Sequence, residues 1–76
     1  MNNKSVYEVF WSNFERLRIA SGKTITDIEM DIGVTVGRFK IIREYRHSLP
    51  GWQIIERLAD EFDVHFSEFY KDIFHG

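Results

Sequence analysis

Four basic side chains lie close together near the middle of the chain: Arg38, Lys40, Arg43 and Arg46. Lysine and arginine at this density can neutralise neighbouring phosphates, and arginine can also hydrogen bond to a guanine edge. His47 follows directly, whereas the apolar Val36 and Ile41 stand within the same stretch. Apart from contacts with thymine methyl groups, apolar side chains suit a protein surface better than base edges. The stretch therefore predicts either a nucleic-acid surface or a protein-binding surface.

Other kinds of chemistry find little support in the sequence. The chain has no cysteine, so disulfides and thiolate metal sites are excluded. The three histidines lack ligand spacing, and we see no glycine-rich phosphate loop, nucleophile motif or paired acids. We therefore expect no enzyme activity, metal, cofactor or small-molecule substrate.

Charge and composition indicate a small intracellular domain with separate charged faces. The net charge is −2 and 43% of the residues are hydrophobic, so only local clustering of basic residues favours binding to nucleic acid. Acidic residues collect in 27–31 and again in 56–63. No signal peptide or membrane span is visible, and we expect a soluble cytoplasmic protein with one domain over residues 1–76 and a folded core at about 7–74.

Helical spacing of apolar residues predicts the elements that position the basic stretch. A first helix is expected from Tyr7 to Ala20, ended by Gly22. Thr24 or Thr26 is expected to cap a second helix of about two turns, which stops at Gly33. Thr35 then caps a third helix that reaches Tyr45.

The second half of the chain predicts two more helices. Pro50 suits the first turn of a fourth helix, and Ser67 with Glu68 behind it is expected to cap a short fifth helix. An ion pair is expected between Arg18 and Glu44, joining the first and third helices. The apolar side chains expected to meet in one core are Phe14, Leu17, Ile28, Phe39, Ile42, Leu58 and Phe62.

In order and spacing, several segments resemble a known family. LRIASGKT, DIGVT, LP and LADEFDVHFSEFY follow the pattern of the Cro and lambda-repressor type helix-turn-helix domains, and the resemblance covers Phe10 to Tyr70. It implies an all-α fold, a five-helix lambda-repressor-like domain. The sequence departs from that pattern at Ile25, where the family usually has glutamine, at Glu29, where it usually has alanine, and at Arg43, where it usually has glutamate.

The resemblance also implies a site. In that family the third helix enters the major groove of DNA, and the matching positions here are Thr35, Val36, Gly37, Arg38 and Lys40. Ile41 lies on the same helix, and Arg43, Arg46 and His47 near its end could hold the DNA backbone. The family's last helix commonly forms a homodimer contact, which here would use Phe69, Tyr70, Ile73 and Phe74.

Two functions follow from these residues. The first is a small phage or mobile-element transcription regulator that binds operator DNA through the recognition helix at 35–45. The alternative is an antirepressor or modulator that binds a partner repressor protein through the same surface and blocks or alters its DNA binding. The negative net charge, Val36, Ile41 and the loss of a polar residue at Ile25 favour the alternative.

Overall fold

The computed structural model describes residues 5–71. This part of the chain is helical and contains no strand, which confirms the all-α prediction. The four α-helices are α1 (Val6–Ser21), α2 (Ile25–Ile32), α3 (Arg38–Lys40) and α4 (Trp52–Phe62). A π-helical turn, Ile41–Tyr45, continues α3 directly, and we call the joined segment 38–45 the third helix. A 3₁₀-helix, Phe66–Tyr70, follows α4.

Local capping explains where α1 and α2 begin and end. Ser5 starts α1 through a capping box with Glu8, and Thr24 starts α2 through a capping box with Asp27. Such a box satisfies backbone N–H groups that the first helical turn leaves without partners. Gly22, at φ 73°, ends α1, and Gly33, at φ 78°, ends α2. The predicted Thr24 cap and both glycine stops are confirmed.

An aromatic cluster forms the centre of the core. The Phe14 ring lies edge-on to Trp11 at 5.3 Å and to Phe39 at 5.4 Å, measured between ring centroids. Phe10 stacks on Phe69 at 5.1 Å. Edge-on and offset contacts of this kind add to the stabilisation from burial alone. The seven core residues predicted from the sequence do meet here, with Phe62 only partly buried.

The predicted start of the fourth helix is wrong by two positions. Pro50 is buried just ahead of α4, Gly51 is the N-cap, and Trp52 is the first helical residue. The Gly51 carbonyl accepts the N–H groups of Ile54 and Ile55 at 3.0 and 3.1 Å. Pro50 therefore shapes the approach to α4 and does not form its first turn.

The fifth element also differs from its prediction. It is a 3₁₀-helix, and its cap is His65, whose Nδ1 accepts the Ser67 N–H at 3.2 Å. Ser67 lies inside the element and is not its cap. Of the four residues expected to form a homodimer contact, Phe69 is fully buried, because it stacks within the core. Tyr70 is 42% exposed, whereas Ile73 and Phe74 lie outside the described residues.

Asn13 holds the 3₁₀-helix against α1. Its side chain is fully buried, and Nδ2 donates to the carbonyls of Phe69 at 3.1 Å and Lys71 at 2.7 Å. Its Oδ1 accepts from Arg16, which also pairs with Glu68 at 3.2 Å. Because every polar atom of the buried amide has a partner, this link fixes the end of the described chain without leaving an unsatisfied group.

Candidate nucleic-acid interface

The third helix begins later than the sequence predicts. Thr35 is not its cap: Gly37, at φ 92°, holds the N-cap position, and Arg38 is the first helical residue. Residues 35–37 form a turn in which the Thr35 carbonyl accepts the Arg38 N–H at 3.0 Å. The threonine side chain is exposed and makes no capping bond.

Glu29 supplies the cap that Thr35 does not. Its two carboxylate oxygens accept the N–H groups of Gly37 and Phe39, each at 2.9 Å. Glu29 is 1% exposed, and a negative charge at the start of a helix is stabilised by the N–H groups that point toward it. The carboxylate on α2 therefore positions the start of the third helix.

Glu29 is also a residue that could not be placed in the site from the sequence pattern. The resemblance marks it only as a departure from an alanine position, and its acidity suggests a solvated face. A signal was present, because Glu29 lies four residues after Ile25 and three before Ile32, on the apolar stripe of α2. A charged residue on such a stripe needs a buried partner.

The far end of the third helix is held by α1. The π-helical turn closes with the Arg46 N–H donating to the Ile41 carbonyl at 3.0 Å. The Tyr7 hydroxyl donates to the Arg43 carbonyl, and Trp11 Nε1 donates to the Ser48 carbonyl at 2.9 Å. Both ends of this helix are thus fixed by side chains that are distant in sequence.

Arg43 lies half-exposed beside α1. Its guanidinium lies 4.0 Å from Glu15 and 5.8 Å from the centroid of the Trp11 ring. The hydrogen bond from Arg18 lowers the pKa of Glu15 below its usual value, and the charge of Arg43 acts in the same direction. The predicted pair between Arg18 and Glu44 is wrong, because Arg18 is bound to Glu15, its neighbour one turn earlier. The first and third helices meet instead through Glu15 and Arg43.

Apart from Gly37, the remaining predicted site residues are exposed in the turn before the third helix, on that helix and just after it. We define the third-helix surface by the exposed residues among those predicted for the site: Thr35, Val36, Arg38, Lys40, Ile41, Arg46 and His47. Glu44 and Tyr45 of the same helix are exposed as well. Gly37 is half-buried beneath the Glu29 contact. Val36 is 55% exposed and Ile41 45%, so the apolar part of this surface is open to solvent. Phe39 and Ile42 point into the core, as predicted.

The basic residues divide into paired and unpaired groups. Within residues 5–71, acids pair with Arg16, Arg18, Lys23 and Arg43. In the same part of the chain, no acid lies within ion-pair distance of five other cations: Arg38, Lys40, Arg46, Arg57 and Lys71. Three of these five cations belong to the third-helix surface, which therefore holds the largest group of cations free to meet an external anion, although the exposed acid Glu44 lies on the same helix.

A cleft of about 290 Å³ adjoins Arg38. It lies between the third helix, the turn that precedes it and α4, and Arg57 lines its other side. Arg57 Nη1 donates to the Ile32 carbonyl at 3.3 Å, a contact with the C-terminal end of α2 that suits a cation. Nothing in the sequence marks Arg57 as a site residue, because only the packing of α4 brings it beside Arg38.

The described residues contain no cluster of three or more histidine, aspartate or glutamate side chains that could hold a metal ion. No helix in residues 5–71 is both long and apolar enough to cross a membrane.

Comparisons of this chain with protein-family models, with curated proteins and with solved structures found no match.

Proposed function

We propose that this protein is a small transcription regulator of phage or mobile-element type that binds DNA through the third-helix surface. One observation carries the proposal: Arg38, Lys40 and Arg46 are exposed and unpaired on the same surface, while acids within residues 5–71 pair with Arg16, Arg18, Lys23 and Arg43. Binding of a phosphate by a cation releases counterions from the nucleic acid. Cations without an internal partner are favoured for this contact, because no ion pair within the protein has to be broken first.

The arrangement around the third helix supports a helix-turn-helix role. Gly33 ends α2 in the left-handed conformation, and a short turn leads into the helix that bears the basic side chains. Glu29 holds the first N–H groups of that helix from α2. A recognition helix must be held rigidly, since a base-edge contact depends on the direction of each side chain.

The number of unpaired cations on the third-helix surface, three, also limits the strength of binding. Each phosphate contact contributes about −0.9 to the slope of log affinity against log salt concentration, so three contacts predict a slope of about −3 for one copy. This is a weak electrostatic component, and useful affinity at physiological salt would need two copies on one operator. Their half-sites would then lie about one turn of DNA apart.

A titration of fluorescent random-sequence DNA at several low salt concentrations tests the proposal. We expect binding with a slope of about −3. Arg46→Ala should make this slope less negative by about 1, because one phosphate contact is lost. Lys71→Ala is the matched control, because it removes an exposed cation elsewhere. Absence of binding at low salt, or equal effects of the two changes, would refute DNA binding by this surface.

A second candidate function is favoured by the exposure of Val36 and Ile41. Two open apolar side chains beside basic ones suit a protein interface, so the same surface could bind a partner repressor and act as an antirepressor or modulator. Ile41→Ser separates the two functions. It should change DNA affinity little, whereas loss of a buried interface anchor commonly weakens protein binding by more than about 1 kcal/mol.

This second experiment uses capture of the candidate repressor on the immobilised protein. Loss of capture by Ile41→Ser, with the helical circular-dichroism signal intact, supports the modulator function. Undiminished capture excludes the third-helix surface as the interface. Met30→Ala is the control, because Met30 is 60% exposed and lies on α2 outside this surface.

A further inference from the structure

A second open surface lies between α4 and the 3₁₀-helix. The residues that line it form what we call the aromatic groove: Trp52, Ile55, Glu56, Phe66 and Tyr70. Trp52 is 67% exposed and Phe66 49%, whereas Ile55 is 6% exposed and forms the floor. Exposed aromatic side chains gathered around a concave site are typical of protein-binding surfaces.

The size of the aromatic groove favours a side-chain anchor over a small molecule. Its volume is about 230 Å³, below the roughly 300 Å³ at which small-molecule pockets usually begin. Grooves of this kind accept the apolar side chains of an amphipathic helix, which recur every three or four residues.

The charges around the aromatic groove indicate what such a helix must carry. Glu56 lines the groove, and Asp60 lies one turn further along α4. Both acids also line an adjoining cleft of about 340 Å³ that shares Phe66 with the groove. Within residues 5–71 neither acid takes part in an ion pair, in contrast to Glu61 on the same helix, which pairs with Lys23. A matching partner therefore carries lysine or arginine beside its apolar anchors.

The same charges argue against two other occupants. Nucleic acid would place phosphates beside Glu56 and Asp60, which would repel them. A second copy related by a two-fold axis would place each groove against its counterpart, so these acids would face one another across the interface. A basic, apolar segment of another protein meets neither difficulty.

We infer that the aromatic groove is a docking site for a basic amphipathic helix of a partner protein. This site is separate from the third-helix surface. Ile54 and Arg57 line the cleft beside Arg38, whereas Trp52 and Glu56 line the aromatic groove, and helical geometry places these pairs on nearly opposite sides of α4. The protein can thus hold a partner in the groove while its basic surface remains open.

The test uses a dye-labelled model peptide of leucine and lysine arranged as an amphipathic helix. The peptide is titrated with the 76-residue protein, and binding is followed by fluorescence anisotropy. A peptide with glutamate in place of lysine and one with serine in place of leucine are the controls. We expect only the leucine–lysine peptide to bind. Trp52→Ala should weaken its binding roughly tenfold by removing the aromatic anchor site, and Glu56→Gln should weaken it about twofold to fivefold.

Matched variants elsewhere separate docking from general stickiness. Met30→Ala removes an exposed apolar side chain from α2, and Glu44→Gln removes an exposed acid from the third helix. Both should leave peptide affinity unchanged within about twofold. Because Trp52 is largely exposed, its variant should keep the parent circular-dichroism spectrum and the parent DNA titration, so failure here is distinguishable from failure of the proposed DNA binding.

Three results would overturn the inference. One is equal binding of the glutamate peptide, and another is peptide affinity that Trp52→Ala leaves unchanged. The third comes from sedimentation: a dimer of the parent protein that Trp52→Ala converts to a monomer would mean that a second copy covers the aromatic groove.

Discussion

The start of α2 and the start of the third helix are capped in opposite ways. Thr24 and Asp27 cap α2 from within its own first turn, so that helix carries its start signal in adjacent residues. The third helix has no such local cap and depends on Glu29, which lies eight residues before Gly37. A local cap stabilises a helix wherever it lies, whereas the Glu29 cap exists only when α2 and the third helix are packed together.

This difference bears on the proposed function. The basic third-helix surface is oriented by Glu29 at one end and by Tyr7 and Trp11 at the other. Its geometry is thus a property of the whole fold, and changes far from the surface should move or loosen it.

The largest expected effect tests whether core packing outweighs either kind of cap. Phe39→Ala removes a ring that is 1% exposed and lies against Phe14. It should lower the free energy of unfolding by about 3–5 kcal/mol, comparable to the whole stability of a small domain. Thermal melting measures the loss, with Ile41→Ala on the exposed side as the control. A parent-like melt of the Phe39 variant would mean that the ring does not support the core.

The next largest effect tests the remote cap. Glu29→Gln keeps the shape of the side chain. One of the two backbone N–H groups then meets the NH2 of the glutamine amide, which cannot accept a hydrogen bond. Leaving a buried donor unsatisfied should cost about 1–3 kcal/mol in urea unfolding, and exchange of the Gly37 and Phe39 amide hydrogens should speed up. Glu44→Gln, an exposed acid on the third helix, should change neither. Equal stability of the two variants would contradict capping by Glu29.

A paired substitution compares the two threonines that the sequence predicts as caps. Thr24→Ala should cost about 1 kcal/mol in the free energy of unfolding, because its side chain accepts the Asp27 N–H. Thr35→Ala should cost close to nothing, because the exposed Thr35 side chain makes no capping bond. If urea unfolding gives the reverse order, the start of the third helix has been placed wrongly.

The smallest effect concerns the contact between α1 and the third helix, and it depends on pH. The pKa of Glu15 lies below its usual 4.5 because of Arg18 and Arg43. A carboxylate with a lowered folded-state pKa stabilises the fold fully above its unfolded value and loses this contribution as the pH falls through the folded value. The stability difference between the parent and Glu15→Gln should therefore be constant above pH 4.5 and shrink below it. A difference that is the same at acidic and neutral pH would rule out this contribution.

Sequence reasoning succeeded where the controlling contacts are local. The first two helices, their glycine stops and the inward direction of Phe39 and Ile42 follow from residues three or four positions apart. It failed for the predicted caps Thr35 and Ser67 and for the predicted pair of Arg18 with Glu44. In each case another side chain took the role: Glu29, His65 and Glu15, respectively. The exposure of Arg38 and Lys40 followed the predicted helical face, whereas the contact of the half-exposed Arg43 with Glu15 did not.

By itself, therefore, the sequence determined the helical class, the first two capped helices, the apolar core and the clustering of basic residues. These features arise from periodic burial and from hydrogen bonds within one turn, which need no knowledge of distant neighbours. Only the tertiary structure decided which cations remain unpaired, that Glu29 caps the third helix, and that Trp52 and Phe66 meet beside Glu56. Those outcomes depend on which side chains the packing of α1, α2 and α4 brings within hydrogen-bonding or ion-pair distance, and that proximity is set by the assembled core.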